Sequence, residues 1–131
     1  MANNENQSNG EQMRRLNKSF HDAYRGLKHS IIYERNFQIE LVIAAFVLAL
    51  ILIFKVKNWE AIVLILMIMW VLIMELINTV FERIADVIKP RIHPYVRLIK
   101  DVMAAVVLIS SLVAVAVGII IFLPYVRELL K

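Results

Sequence analysis

Residues 102–125 read VMAAVVLISSLVAVAVGIIIFLPY and contain no charged side chain. A helix that crosses the hydrocarbon core of a bilayer needs about 20 predominantly apolar residues, with a range of about 17 to 25. This stretch meets that requirement without help from its neighbours. Because Pro124 lacks a backbone N–H and normally ends or kinks a helix, we predict a membrane-spanning helix over residues 102–124.

Two earlier stretches are also uncharged, residues 41–54 and residues 61–74. Each reaches spanning length only when it includes flanking charged residues, such as Glu40 beside the first and Glu75 beside the second. An acid within a membrane is costly and is usually functional. The sequence therefore predicts an all-α integral membrane protein with three transmembrane helices. We expect the spans over residues 37–56, 59–78 and 102–124.

The composition agrees with contact between the protein and lipid. The chain has 131 residues, of which 60% are apolar, and its mean hydropathy is +0.68. Soluble domains contain roughly 45–50% apolar residues. The absence of cysteine excludes a disulfide framework, a cysteine zinc site and thiol catalysis. The three glycines cannot form a glycine-rich phosphate-binding loop of either common type.

The N-terminal region divides into a polar segment and an amphipathic segment. Residues 1–12 are almost free of apolar side chains, so we predict a disordered tail there and a single membrane domain over residues 13–131. Residues 13–32 predict an amphipathic helix that lies on an anionic membrane surface. The alternative is a helix packed on a protein core. The apolar positions are Met13, Leu16, Phe20, Ala23, Leu27 and Ile31.

The 15 Lys and Arg residues are distributed unevenly between the two sides of the predicted spans. Eleven precede the first span or lie between the second and third spans. The other four are Lys55, Lys57, Arg127 and Lys131. The positive-inside rule then predicts a cytoplasmic N-terminus and a C-terminus outside the membrane. The same asymmetry explains the net charge of +4 without a nucleic acid partner.

The segment ELINTVFERIAD, residues 75–86, directly follows the second uncharged stretch. On a helix, its polar side chains recur at spacings of three and four and form one narrow face. This face comprises Glu75, Asn78, Thr79, Glu82 and Asp86. A solvated helix end explains Asp86 and Glu82. It explains Glu75 and Asn78 poorly, because these two fall on the apolar side of the boundary. The face is therefore a candidate functional site.

Carboxylates in this arrangement suggest two kinds of chemistry. Two of them one helical turn apart can bind Mg²⁺ while water and phosphate oxygens complete the coordination. A third, displaced toward lipid, can remove a proton from a hydroxyl group. Glu75 lies 15 residues after Glu60, which is about 22 Å along a helix. If Glu60 lies at the outer surface, Glu75 lies just inside the inner surface, at the depth of a lipid headgroup hydroxyl.

These residues resemble those of a known family, the small three-span prokaryotic membrane kinases. Its members are the diacylglycerol kinases of Gram-negative bacteria and the undecaprenol kinases of Gram-positive bacteria. Residues 75–86 are similar to the family motif E-[IL]-[IL]-N-[ST]-A-[IV]-E…D. Lys100-Asp101 matches the family's K-D pair, and residues 34–37, Glu-Arg-Asn-Phe, look like the start of its first span. The resemblance covers residues 14–124.

The resemblance implies transfer of the γ-phosphoryl group of ATP to a membrane lipid hydroxyl, with Mg²⁺, by a homotrimer with shared active sites in the bacterial inner membrane. It implies that Glu75 is the catalytic base and that Glu34 and Glu82 bind the metal. The nucleotide-binding positions that it implies are Glu34, Asn78, Glu82, Arg91, His93, Lys100 and Asp101. The implied lipid-binding positions are Phe37, Gln38, Glu40 and Glu75, and Gln38 stands where the family usually has Arg.

The identity of the lipid and the class of function have alternatives. Residues 24–29 and 34–37 look more like the Gram-positive branch, so we favour undecaprenol over diacylglycerol. A small transporter or channel subunit would use intramembrane acids for proton coupling, but it predicts acids near the bilayer midplane rather than at one face. A non-catalytic membrane subunit would not need the alignment of Asn78 with Glu82.

Overall fold

The computed structural model describes the backbone of residues 2–87 and 94–130 and the side chains of residues 11–87 and 95–130. Within these ranges the chain forms α-helices and no strand, which confirms the all-α prediction. The helices are α1 (Ala2–Tyr33), α2 (Arg35–Phe54), α3 (Asn58–Val87) and α4 (Pro94–Leu129). The chain divides into two compact units, Met1–Glu34 and Arg35–Lys131.

Three of these helices are long and apolar enough to cross a membrane, namely α2, α3 and the Tyr95–Leu129 part of α4. This confirms the predicted multi-pass architecture. Two of the helices are longer than the predicted spans. Helix α3 continues as far as Val87 and therefore carries the whole polar segment 75–86 on one rigid element.

Helix α4 does not end at Pro124, where we expected the third span to stop, but continues to Leu129. Proline removes one hydrogen bond from a helix, and such a loss is tolerated in membrane helices where neighbouring groups satisfy the freed backbone. The end of the membrane-embedded part at residue 124 stays a prediction. The extra turn has a structural consequence, because it places Tyr125 against the start of α3.

A tight connection links α2 to α3. Lys55 adopts the left-handed conformation, with a φ of 47°, and the Val56 N–H donates a hydrogen bond to the Ile51 carbonyl oxygen at 3.4 Å. This is the pattern of a Schellman C-terminal cap, in which a left-handed residue reverses the chain and the next apolar residue is buried. Val56 is buried accordingly. The connection makes α2 and α3 antiparallel neighbours.

Helix α3 is the central element of the second unit and packs against both α2 and α4. Midway along α3, the Trp70 indole N–H donates a hydrogen bond to the buried Ser110 hydroxyl of α4 at 3.3 Å. Near the α2–α3 connection, the ring of Phe54 lies 5.9 Å from that of Phe122. Interhelical hydrogen bonds such as the first, and close side-chain packing such as the second, hold helices together in lipid, where apolar burial alone supplies little driving force.

Helix α1 carries the amphipathic pattern that the sequence predicts. Met13, Leu16 and Phe20 are all exposed along one stripe, and the stripe continues to Leu27 and Ile31. The helix begins at Ala2 and so includes residues 2–12, for which we expected no regular structure. Extending an existing helix adds one hydrogen bond for each residue ordered, without a new nucleation cost. The domain boundary at residue 13 stays a prediction.

Candidate active site

The polar face of α3 passes from a buried end to an exposed end. Glu75 is 3% exposed and Asn78 is 4% exposed, whereas Thr79 and Glu82 are half-buried and Asp86 is exposed. The residues that sequence reasoning placed on the apolar side of the boundary are thus the ones that the fold buries. A buried carboxyl group is retained at a substantial free-energy cost, so Glu75 is the strongest candidate for a functional group on this face.

Helix α2 contributes a second acid near Glu75. Glu40 is half-buried, and its charge and that of Glu75 are close enough to interact. The Glu40 Oε2 atom is shielded from solvent and has no hydrogen-bond partner among the residues that the structure describes. Glu40 also lines a cavity of about 430 Å³ between α2, α3 and α4. All other side chains around this cavity are apolar except Ser111, so a carboxyl group meets an otherwise apolar space.

Asn78 presents a second unsatisfied acceptor. Its Oδ1 atom is buried without a hydrogen-bond partner in the described part of the chain, and such an atom in a native structure calls for a ligand or ordered water. Glu82 lies one helical turn farther along the same face. The two side chains therefore offer amide and carboxylate oxygens together, which are ligands that suit Mg²⁺.

Residues 11–87 and 95–130 contain no cluster of three or more Asp, Glu, His or Cys side chains that could hold a metal by themselves. A cation at Glu82 would therefore need oxygen ligands from elsewhere, such as phosphate groups. Mg²⁺ is commonly bound in this way, through one or two carboxylates and substrate phosphates. The donor set on α3 fits that mode of binding.

A lysine from α4 lies at the exposed end of the same face. The Lys100 Nζ atom is 2.9 Å from Asp86 Oδ1, and Glu82 is near enough for its charge to act on Lys100. The Lys100 side chain is 32% exposed and that of Asp86 is 60% exposed. The structure thus brings Lys100 together with the polar face of α3, whereas Asp101, the next residue along α4, is exposed.

Glu34 lies between α1 and α2, at the end of the first compact unit. Its side chain is half-buried, and its backbone N–H donates a hydrogen bond to the Ser30 carbonyl oxygen at 3.1 Å. Glu82 belongs to the second unit. Joint binding of a metal by Glu34 and Glu82 therefore stays a prediction.

The remaining predicted site residues fall into two groups. On α2, Phe37 is 2% exposed and Gln38 is exposed, so these two of the four predicted lipid-binding positions differ in accessibility. Arg91 and His93 lie outside the described residues. The nucleotide-binding role of these two residues stays a prediction.

Sequence reasoning treated Asp86 as a solvated residue at a helix end and so missed its pairing with Lys100. The two residues are separated by the connection between α3 and α4, and no local spacing rule relates positions on different helices. The signal that the sequence offers for such a pairing is a basic residue, Lys100, at the start of the third span.

Comparison with known proteins identifies the family. The family model described as prokaryotic diacylglycerol kinase matches residues 21–122. An undecaprenol kinase from Bacillus subtilis (strain 168) is 32% identical over 113 residues, which cover 86% of this chain and 92% of the relative. A diacylglycerol kinase from Synechocystis sp. is 30% identical over 107 residues, which cover 81% of this chain and 61% of that relative. The chain therefore belongs to the prokaryotic diacylglycerol kinase family, a family of lipid kinases.

Proposed function

We propose that this lipid kinase transfers the γ-phosphoryl group of ATP to the hydroxyl group of a membrane lipid, with undecaprenol as the favoured acceptor and diacylglycerol as the alternative. One observation carries the proposal. A single face of α3 holds a deeply buried acid, Glu75, and continues through Asn78 and Glu82 to the ammonium group of Lys100. An acid for the acceptor lies at one end of this face, and a polar end for the phosphates, with a cation supplied by α4, lies at the other.

Glu75 would accept the proton of the lipid hydroxyl while the hydroxyl oxygen attacks the γ-phosphorus of ATP and ADP leaves. The burial of Glu75 supports this role, because a closed site excludes water that would otherwise compete with the lipid hydroxyl. Glu40 lies near enough for its charge and that of Glu75 to interact. Phosphoryl transfer needs mainly alignment of the reactants and neutralisation of charge. One well-placed base is therefore enough to remove the proton of the hydroxyl group.

The polar end of the face would hold the nucleotide. Glu82 and Glu34 would bind Mg²⁺, which supplies neutralisation of the phosphate charge when it is bound. Lys100 would bind phosphate oxygens directly as a compact positive charge. The other residues that we assign to the nucleotide are Asn78, Arg91, His93 and Asp101. This arrangement replaces the glycine-rich loop that the sequence does not contain.

The lipid would reach Glu75 from the bilayer. We assign Phe37, Gln38 and Glu40 to this side of the site, with the hydroxyl group of the lipid at Glu75. The apolar cavity that begins at Glu40 supports the assignment, because an alkyl chain next to a headgroup needs an apolar wall. The match to an undecaprenol kinase over 92% of its length favours undecaprenol over diacylglycerol.

The working enzyme would be a homotrimer with active sites shared between neighbouring chains in the bacterial cell membrane, either an inner or a plasma membrane. The exposure of Asp101 supports this, because it leaves the side chain available to a second chain. The N-terminus would be cytoplasmic and the C-terminus outside, as the distribution of Lys and Arg indicates. ATP would then meet the site on the cytoplasmic side.

Parallel assays on the purified protein in mixed micelles test the acceptor. We expect transfer of labelled phosphate from ATP to undecaprenol with a higher kcat/KM than to diacylglycerol, and no transfer without Mg²⁺. Glu75→Gln is the matched negative control, and Glu128→Gln, an exposed acid at the far end of α4, is the positive control. Comparable kcat/KM values for the two lipids would contradict the preference for undecaprenol, and transfer to neither lipid would contradict the proposed reaction.

A further inference from the structure

Three charged groups meet at the exposed end of the α3 face, Glu82 and Asp86 from α3 and Lys100 from α4. Glu82 and Asp86 are four residues apart, so their side chains are neighbours on the helix surface, with Cβ atoms about 5–6 Å apart. A lysine on a facing helix has the length and flexibility to reach either carboxylate. In the structure Lys100 pairs with Asp86, because its Nζ atom bonds directly to Asp86 Oδ1 at 2.9 Å.

The pairing of Lys100 with Asp86 rather than Glu82 affects metal binding, because an ammonium group and a divalent cation compete for the same carboxylate oxygens. Glu82 is the carboxylate to which we assign the metal, and it lies closer to the buried Asn78 Oδ1 than Asp86 does along the helix. If Lys100 bonded to Glu82, a metal would first have to displace it. Asp86 supplies an alternative partner for the ammonium group one turn farther from the buried end.

We propose that Asp86 is a positioning residue that holds the Lys100 ammonium group away from Glu82 and so keeps the Glu82 carboxylate available to a divalent cation. The inference rests on the proposed function, in which Glu82 binds the metal. It adds a division of roles between two acids on one helix face. Glu82 would bind the cation, while Asp86 would bind the lysine and touch neither the metal nor the substrate.

Direct binding of Mn²⁺ to the full-length protein in detergent tests the inference, with a non-hydrolysable ATP analogue at one fixed concentration supplying the phosphate oxygens and electron paramagnetic resonance reporting free Mn²⁺ against a protein-free blank. Asp86→Asn should weaken Mn²⁺ binding about three- to fivefold, the upper part of the range that the modest strength of exposed ion pairs allows. Asp86→Glu, which retains the charge, should bind Mn²⁺ nearly as the wild type does. Both changes are at an exposed side chain, so the fold should be retained.

The deciding comparison repeats Asp86→Asn in a Lys100→Met background. If Asp86 acts through Lys100, the loss of Mn²⁺ affinity caused by Asp86→Asn should fall below about twofold when the ammonium group is absent, because coupled residues give non-additive effects. If Asp86 binds the metal itself or attracts it as a bare charge, the loss should be as large or larger in that background. An equal or larger loss would overturn the inference.

Glu82→Gln separates failure of the inference from failure of the proposed function. Loss of Mn²⁺ binding in this variant, together with an equal Asp86→Asn effect in both backgrounds, would overturn only the role of Asp86. Unchanged Mn²⁺ binding in Glu82→Gln, or no measurable binding by the wild type, would overturn the metal assignment and the inference with it.

Discussion

The phenol of Tyr125, one residue beyond Pro124 in α4, donates a hydrogen bond to the buried carboxylate of Glu60 at the start of α3. The Lys57 N–H donates to the same carboxylate at 3.1 Å and to the Tyr125 hydroxyl at 3.2 Å. Glu60 thus caps the first turn of α3 in the manner of the acid in a capping box. One carboxylate therefore ties the α2–α3 connection, the beginning of α3 and the end of α4 together.

Tyr125→Phe should lower the unfolding temperature of the protein without changing kcat or KM for ATP. The change removes the hydroxyl that joins the end of α4 to Glu60, and interhelical hydrogen bonds contribute modestly to the stability of membrane proteins. Thermal unfolding in detergent measures the change, and Tyr24→Phe, which alters an exposed phenol on α1, is the control. An unfolding temperature equal to that of the wild type would show that the bond adds nothing to stability.

Glu75→Gln should lower kcat by about 10²–10⁴-fold, the range typical of acid–base groups, and should leave KM for ATP nearly unchanged. The side chain keeps its size and loses only its ability to accept a proton, so the nucleotide end of the face should be unaffected. Steady-state kinetics with saturating lipid measure both constants, with Glu128→Gln as the matched control. Near-normal turnover by Glu75→Gln would refute its assignment as the base.

Glu82→Gln should raise the Mg²⁺ concentration needed for half-maximal activity by about ten- to a hundredfold, since loss of a charge-assisted contact costs about 1.5–3 kcal/mol. Titration of Mg²⁺ at fixed ATP measures this requirement. The higher Mg²⁺ requirement should be measurable even where excess Mg²⁺ restores part of kcat. An unchanged Mg²⁺ requirement would move the metal away from this residue.

The number and order of the spans could be predicted because each rests on a local quantity, the length of an uncharged run. The burial of Glu75 and Asn78 followed from their position relative to the apolar boundary, which the helical period makes explicit. The pairings of Lys100 with Asp86 and of Tyr125 with Glu60 could not be predicted, because they join different helices whose rotation about their axes is set by packing. Helix α4 continues past Pro124, where we expected the span to stop, and the next residue, Tyr125, bonds to Glu60 of α3, a contact that no local pattern in the sequence indicates.

A reporter fused after Lys131 tests the predicted orientation. The distribution of Lys and Arg places the C-terminus outside the cytoplasm, so alkaline phosphatase at this position should be active and green fluorescent protein should be dark. The same fluorescent protein fused before Met1 should be bright. A bright C-terminal fusion would overturn the orientation and with it the placement of Glu75 at the cytoplasmic face.

Mixing two inactive variants tests whether the active site is shared between chains. Glu75 is buried on α3, whereas Asp101 is exposed on α4, so we predict that Asp101 completes the site of a neighbouring chain. Glu75→Gln and Asp101→Asn would then spoil different halves of each site. In closed rings assembled at random from equal amounts, about a quarter of interfaces pair two intact halves, so about a quarter of wild-type activity should return.

Subunit exchange must be demonstrated in the same sample, for example by energy transfer between differently labelled chains, because unmixed rings would also stay inactive. Mixing Glu75→Gln with a differently labelled copy of itself is the control and should restore nothing. If subunits exchange and no activity returns, Glu75 and Asp101 serve the same chain or the sites do not lie between chains. Recovery near one quarter, by contrast, requires that the base and Asp101 come from different chains, because neither variant contains an intact pair of its own.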